Sequence, residues 1–168
     1  MTIAAAAIFS FDERTVKSPW LPCINGRNAG TGPDVGAPPR RLACPGAELA
    51  GVHYLRTIAD SDRLRSILSV NGRIVIIGAG YVGLEVAAVA RKFGREVVVA
   101  EMADRPLARV APRPISDFYE KLHREAGVEL RLGAAVQALL GRNGAVTAVA
   151  LESGEEIACA AVLAGIGA

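Results

Sequence analysis

The stretch IVIIGAGYVGLEVAAVA, residues 74–90, runs from an unbroken apolar tract through glycines at 78, 80 and 83 into an alanine-rich segment of helical character. A tract that is apolar at every position fits a strand covered on both faces, as in a parallel sheet. Such a strand must hand the chain to a helix lying over the sheet, and glycine at 78 permits the sharp turn that this requires. Gly80 has no side chain to hold off a bulky anion, so the backbone there can approach a pyrophosphate, whose charge is favoured by the free amides and dipole of a helix start. Gly83 lets the helix pack close to the strand, and the small Ala87 and Ala88 maintain that closeness on the following turn.

The pattern that begins here continues. It predicts a strand over 73–77, a helix over about 81–94 ended by Gly94, a strand over 96–101, a helix over about 115–126 ended by Gly127, and a strand over 128–132. Strands separated by helices of that length call for a parallel sheet with right-handed crossovers. After Gly133 the segments AAVQALL, AVTAVALE and EEIACAAVLAGIGA are divided by the turn signals Asn143-Gly144 and Ser153-Gly154. They read as an antiparallel meander followed by a last apolar strand near 161–166. The expected fold is therefore α/β: a Rossmann-like, doubly wound parallel sheet with an antiparallel β-meander, preceded by an irregular N-terminal segment.

Before Arg73 order is harder to find. Residues 17–46 hold Pro19, Pro22, Pro33, Pro38, Pro39 and Pro45 among many glycines, and read as irregular and exposed. TIADSDRLRSILSV then places Ile58, Leu64, Ile67 and Leu68 on one side of a helix, with Asp60 or Ser61 as its cap and Asn71-Gly72 ending it. The expected division is an irregular segment over 1–50 and a nucleotide-binding domain over 51–168. GTGPDVG, residues 30–36, imitates part of a glycine loop, but no strand precedes it and Pro33-Asp34 suit a turn.

A lone G-x-G-x-x-G also describes a ligand-free turn, so context decides. This one follows a strand, opens a helix, and is followed by a second strand, REVVVAE, ending in Glu101, 18 residues beyond Gly83. A carboxylate there can accept hydrogen bonds from both hydroxyls of an adenosine ribose while repelling a 2′-phosphate, which selects NAD over NADP. Taken alone, Glu101 reads equally well as a solvated acid at a strand end. Arg105 and Arg109 count on the other side, since a nearby arginine can bind a 2′-phosphate.

Charge and cysteine usage narrow the setting. The 19 basic and 17 acidic residues form no basic face: residues 1–72 carry 8 against 6 and residues 73–168 carry 11 against 11, so nucleic acid is not an expected partner. Cys23, Cys44 and Cys159 lie far apart with only His53 and His123 to assist them, which indicates neither a disulfide framework nor a metal site. That usage favours a reducing, cytoplasmic setting. MTIAAAAIFSF lacks the basic flank of a signal peptide, and no run approaches the roughly 18 apolar residues of a membrane helix.

The block GRIVIIGAGYVGLEVAAVARKFGREVVVAEMADRPLARVAPRPISDFYEKLHREAGVELRLGAAV, with the closing AAVLAGIGA, resembles the FAD-dependent, NADH-oxidising ferredoxin and rubredoxin reductases of the pyridine nucleotide-disulfide oxidoreductase superfamily. The likeness covers about residues 73–168 and extends more loosely through 36–68. In that family this region is the NADH-binding domain, inserted into a larger FAD-binding domain. The resemblance implies that the Tyr81 and Val82 amides face the pyrophosphate, that Glu85 lies near the nicotinamide carboxamide, and that Glu101 and Met102 hold the adenosine ribose. It further implies that Arg109 lies along the adenosine end and Gly165 beside the nicotinamide. On the residues alone, Glu85 reads first as a glutamate stabilised by the helix dipole, and Arg109 equally as a solvated loop charge.

The resemblance also implies a reaction in which NADH reduces FAD, and FAD passes single electrons to a ferredoxin- or rubredoxin-type iron–sulfur protein. The cofactors carry that chemistry, and this region positions the nicotinamide. No catalytic triad is evident: His123 reads as a packing or surface residue on a helix, and Cys159 as a small buried one. A complete member of the family opens with its own G-x-G-x-x-G for FAD, carries an apolar strand leading to an A-T-G before the proline–arginine pair, and closes with a flavin-contacting segment and an interface domain. This sequence shows none of them. The expectation is a fragment, a recombined gene or a reading-frame slip upstream of Gly36, binding NADH without turning it over when flavin is absent. The alternatives are the nucleotide domain of another flavoprotein of the disulfide-reductase group, or a non-catalytic NAD-binding remnant.

Overall fold

Ile74–Ile77 (β2) and Val97–Glu101 (β3) are buried at every position except Glu101, and they pair in parallel with Ile74 beside Val97. The computed structural model describes residues 40–69 and 71–167. Around those two strands it builds a five-stranded parallel sheet in the order β1-β8-β2-β3-β4, where β1 is Val52–Tyr54, β4 is Glu129–Leu132 and β8 is Ala161–Ala164. Helix α1 (Ile58–Ser69) joins β1 to β2, α2 (Tyr81–Lys92) joins β2 to β3, and α3 (Arg113–Glu125) joins β3 to β4. The α/β class and the alternation from Arg73 onward are as the periodicity requires.

The two faces of the sheet are covered differently. Between β4 and β8 the chain forms an antiparallel sheet in the order β5-β6-β7, from Val136–Arg142, Ala145–Leu151 and Glu156–Ala158. Its Leu139, Val146, Val149, Leu151 and Ile157 pack on Val75, Ile77, Val98, Ala100 and Val162 in one buried cluster. Side chains alternate along a strand, so Ile76 points to the opposite face. There α2 lies so close that a Cβ on Gly83 would sit 3.3 Å from Ile76 Cγ2. The first hairpin turns through Asn143 (φ 52°) and Gly144 (φ 80°), both left-handed as a two-residue β-turn of this kind demands.

Three details depart from the sequence expectation. Strand β1 is too short to show alternation, and it forms only because Val52, His53 and Tyr54 find Val162, Leu163 and Ala164 far along the chain. In α1 the cap is Thr57 and not Asp60 or Ser61. Thr57 Oγ1 accepts from the Asp60 amide at 3.1 Å while Asp60 Oδ2 accepts from the Thr57 amide at 2.9 Å, the reciprocal pair of a capping box. Leu64 and Leu68 are buried as expected, but Ile58, in the first turn where the helix has not yet met the sheet, is 77% exposed.

Residues 40–50 belong to the same compact unit as the sheet, which comprises Pro39–Ala168. The Leu139 amide donates to Pro45 O at 2.8 Å, Ala50 bridges to Ala145, and the Arg40 amide donates to Gly167 O at 3.0 Å. The decoy glycines of GTGPDVG lie outside the described residues. Among the described residues no helix is long and apolar enough to cross a membrane.

Candidate dinucleotide site

The carboxyl ends of β2, β3 and β8 meet at one edge of the sheet. The Gly78 amide donates to Ala100 O and the Gly165 amide to Ile77 O, each at 2.8 Å, so the chain leaves all three strands side by side. Such an edge, where strands end and a helix begins, is where α/β sheets bind ligands.

The three motif glycines have different physical reasons. Gly78 stands at φ 102°, and a Cβ there would lie 2.8 Å from Gly165 O. At Gly83 a Cβ would lie 2.1 Å from Gly78 O, closer than any side chain tolerates. Both are therefore required by packing. Gly80 is different: its φ of −76° suits any residue, and a Cβ would meet nothing nearer than Gly165 O at 3.7 Å. The protein itself does not need glycine at 80, whereas a ligand approaching the backbone would.

Gly80 is the N-cap of α2 and offers no side-chain cap. The first main-chain bond of that helix is from the Leu84 amide to Gly80 O at 3.0 Å, which leaves the Tyr81 and Val82 amides ahead of it as the unpaired donors of a helix start. Both side chains are half exposed. Glu85, one turn on, is partly buried.

Glu101 carries a task that its position in the sequence does not show. Oε2 accepts from the Ala79 amide at 2.7 Å, and Oε1 accepts from the Ala103 amide at 2.9 Å. The carboxylate thus pins the glycine turn to the end of β3. A carboxylate offers about four acceptor positions, so each oxygen keeps one for another donor. The Leu107 amide donates to Ala79 O at 2.9 Å, so both main-chain groups of Ala79 are held from the β3 side. Leu107 is buried and takes a left-handed φ of 55°, a conformation no sequence pattern announces for leucine.

The two arginines that bear on 2′-phosphate recognition separate clearly. Arg105 is turned inward: its guanidinium donates to Ala111 O and Ala108 O, both at 2.9 Å, and to the hydroxyl of the fully buried Ser116. Ser116 Oγ in turn donates to Pro106 O at 2.6 Å. Arg105 therefore shapes the loop between β3 and α3. Arg109 is exposed on that loop, and Met102, next to Glu101, is 78% exposed. Of the ten residues singled out in the sequence, Gly78, Gly80, Gly83, Glu101 and Gly165 converge by direct contact or through Ala79. Tyr81, Val82 and Glu85 follow on the same helix, Met102 adjoins Glu101, and Arg109 stands on the neighbouring loop. Gly165 is tightly seated, since a Cβ on it would lie 3.2 Å from Gly83 Cα.

His123 is buried between helices, with Nδ1 2.8 Å from Tyr119 O and Nε2 3.0 Å from Leu84 O. It ties α3 to the first turn of α2, a packing role.

Residues 35–168 match the model of the family described as pyridine nucleotide-disulphide oxidoreductase. The chain is 49% identical over 146 residues to a ferredoxin–NAD(P)(+) reductase of a Sphingomonas species, covering 85% of this chain and 35% of that one. It is 44% identical over 132 residues to rhodocoxin reductase of Rhodococcus erythropolis, covering 79% and 31%. A crystal structure of a ferredoxin reductase from Rhodopseudomonas palustris superposes with a TM-score of 0.74 at 39% identity, over 76% of this chain and 32% of that one. The chain thus spans about a third of the length of the relatives it matches.

Proposed function

The chain belongs to the pyridine nucleotide-disulphide oxidoreductase family, and we propose that within it residues 51–168 are the NADH-binding domain of a flavoprotein reductase that passes electrons to a ferredoxin- or rubredoxin-type iron–sulfur protein. The observation that carries this reading is the contrast at the glycine turn: Gly78 and Gly83 are demanded by packing, while Gly80 is left open beside unpaired helix-start amides. A pyrophosphate over Gly80, Tyr81 and Val82 would use those donors. Its adenosine ribose would reach the free acceptor positions of Glu101 beside Met102, with Arg109 along the adenosine end. The nicotinamide would extend toward Glu85 and Gly165.

Several features favour NADH over NADPH. Glu101 repels a 2′-phosphate, and Arg105, the closer arginine in sequence, spends its donors on Ala108, Ala111 and Ser116. In a longer flavoprotein of this kind FAD would supply the hydride acceptor and the one-electron relay. This chain's own part is to orient the nicotinamide. Alone it binds NADH, does not turn it over, and works in the cytoplasm without nucleic-acid or membrane contacts.

Titration of the purified chain with NADH and NADPH, followed by nicotinamide fluorescence, tests the reading. Saturable NADH binding in the micromolar range with much weaker NADPH supports it. Binding of neither nucleotide favours the second reading, a folded remnant without nucleotide affinity, and NADPH preference overturns the role given to Glu101.

A further inference from the structure

Helices α2 and α3 pack against each other, and two side chains of different chemistry tie them together along α2. Near the end of α2, Arg91 Nε donates to Ala126 O at 3.1 Å, and a Cβ on Gly127 would lie 2.6 Å from its guanidinium. A guanidinium is not deprotonated in proteins, so that tie is permanent. Beside the glycine turn the tie is His123, one of two histidines in the chain and 5% exposed. Its Nε2 lies 3.0 Å from Leu84 O in the first turn of α2, and its Nδ1 lies 2.8 Å from Tyr119 O on its own helix.

Both neighbours of this ring are acceptors. A carbonyl oxygen has no proton to give and a neutral imidazole carries a single N–H, so a neutral ring would serve one carbonyl and turn a lone pair toward the other. Only the imidazolium, with a proton on each nitrogen, satisfies both contacts at once. Burial by itself disfavours a charge. Here the two carbonyl dipoles offset that cost together with the Tyr119 ring, which stacks on the imidazole at 6.0 Å between centroids and 17° between planes. The other charged and titratable groups on the elements packed against His123 are of both signs. Helix α2 brings Tyr81, Glu85 and Arg91, of which Glu85 adjoins Leu84 in the chain and Arg91 donates to Ala126 O and Arg95 O. Strand β4 brings Glu129 and Arg131, paired with each other, and α3 itself adds Glu120 paired with Arg124 at 2.9 Å.

A second contact reaches the same turn. The Tyr119 ring meets Tyr81, the first residue of α2, edge to face at 6.4 Å between centroids and 83° between planes. Helix α3 therefore grips the first turn of α2 twice, at Tyr81 through Tyr119 and at Leu84 through His123. We propose that His123 is a positioning residue that works as an imidazolium: charged, it clamps the first turn of α2, and loss of one proton releases that turn. The remaining proton stays on Nδ1, whose contact within α3 is the shorter, so Leu84 O then faces a lone pair and the clamp opens on the α2 side. The clamp does not rest on the nucleotide reading, but its consequence for affinity does. The Tyr81 and Val82 amides belong to the clamped turn, so the protonated chain binds NADH more tightly and affinity falls as pH rises.

The test uses the full chain carrying His53→Gln, which leaves His123 as its single histidine. Nitrogen-15 NMR of the ring is expected to show a proton on both nitrogens at about pH 6 and on Nδ1 alone at about pH 8.5. Amide hydrogen exchange, corrected for the intrinsic rate at each pH, is expected to show the first two turns of α2 losing protection by about fivefold or more over that interval, while the last turn, held by Arg91, keeps its protection. NADH affinity, read by nicotinamide fluorescence, is expected to weaken by about threefold or more over the same interval, and His53→Gln combined with His123→Gln to show no such dependence. The first two measurements need no substitution at 123, so they decide the clamp even where the double variant does not fold. A ring with one proton at the lower pH, a ring unchanged between the two, or protection of the first turn indifferent to pH would overturn the proposal. So would NADH affinity that is measurable but does not change with pH. Failure to bind NADH at either pH would count against the nucleotide reading alone, because ring charge and amide protection are read on the free chain.

Discussion

The Glu101 carboxylate and the Ala79 amide, 22 residues apart, are joined by a hydrogen bond of 2.7 Å that couples the end of β3 to the glycine turn. One side chain therefore closes the turn, and in the proposed reading it also meets the adenosine ribose. Substitution should reveal both. Glu101→Arg removes the acceptor and introduces a partner for a 2′-phosphate, so nucleotide preference should move toward NADPH by about 1–3 kcal/mol. The same change leaves the Ala79 and Ala103 amides without their acceptor and should lower stability by about 1–3 kcal/mol in urea unfolding. Glu101→Gln, which keeps an acceptor oxygen, should lose less. Unchanged affinity for both nucleotides in Glu101→Arg would remove Glu101 from the ribose site.

The glycines can be told apart by the same pair of measurements. Gly83→Ala forces a methyl to 2.1 Å from Gly78 O and should cost about 3 kcal/mol or prevent folding. Gly80→Ala meets nothing nearer than 3.7 Å and should change stability by about 1 kcal/mol or less. Its NADH affinity should nevertheless fall by roughly tenfold or more, about 1.4 kcal/mol, because the methyl stands where the pyrophosphate would approach. Equal affinity in Gly80→Ala and wild type would place the ligand elsewhere.

At the start of α1, Asp60 accepts from the amides of Thr57 and Arg56 and from Thr57 Oγ1. The bond from the Thr57 amide, followed by weaker contributions including Arg63, holds its carboxyl below the ordinary value of 3.8. A carboxyl depressed in the folded state stabilises above its unfolded pKa, and that stability is lost as pH falls through the folded value. Asp60→Asn should therefore cost about 1 kcal/mol at pH 7. The difference from wild type should be intact at pH 5 and shrink toward zero below 3.8. Thermal unfolding of both proteins across pH 2.5–7, roughly the window that linkage defines, checks the sign. A gap that widens in acid would contradict it.

Burial pushes the Cys159 thiol up to about 11, with Arg73 opposing the rise, and burial also raises Cys44. Relative to an ordinary thiol at 9.0, Cys159 should hold about a hundredfold less thiolate at pH 8. Alkylation by iodoacetamide, located by mass spectrometry, should thus leave Cys159 unmodified in the folded protein and label it fully after denaturation. Rapid native labelling would show that the β7–β8 connection opens readily.

How much of this was legible beforehand follows from the range of the interactions. The tract 74–77, the glycine spacing and the helix that follows are local patterns, repeated along the chain with the periods of strand and helix, and the structure has them within a residue or two of the expected limits. The hairpin at Asn143-Gly144 is equally local, because only those residues take two left-handed angles in succession without strain. Other features were not legible. Strand β1 depends on a partner at 162–164, and the cap at Thr57 depends on which of several polar neighbours wins the reciprocal bond.

By itself, then, the sequence determined the alternation of strand and helix, the turn that a pyrophosphate could approach, and an acid at the end of the next strand, since each is written in neighbouring residues. Only the tertiary structure decided that Glu101 also fastens Ala79, that Arg105 is consumed by its own loop, and that packing demands glycine at 78 and 83 but not at 80. Those outcomes depend on which atoms from distant segments come within bonding distance, and that is settled when the sheet closes and its two faces are covered.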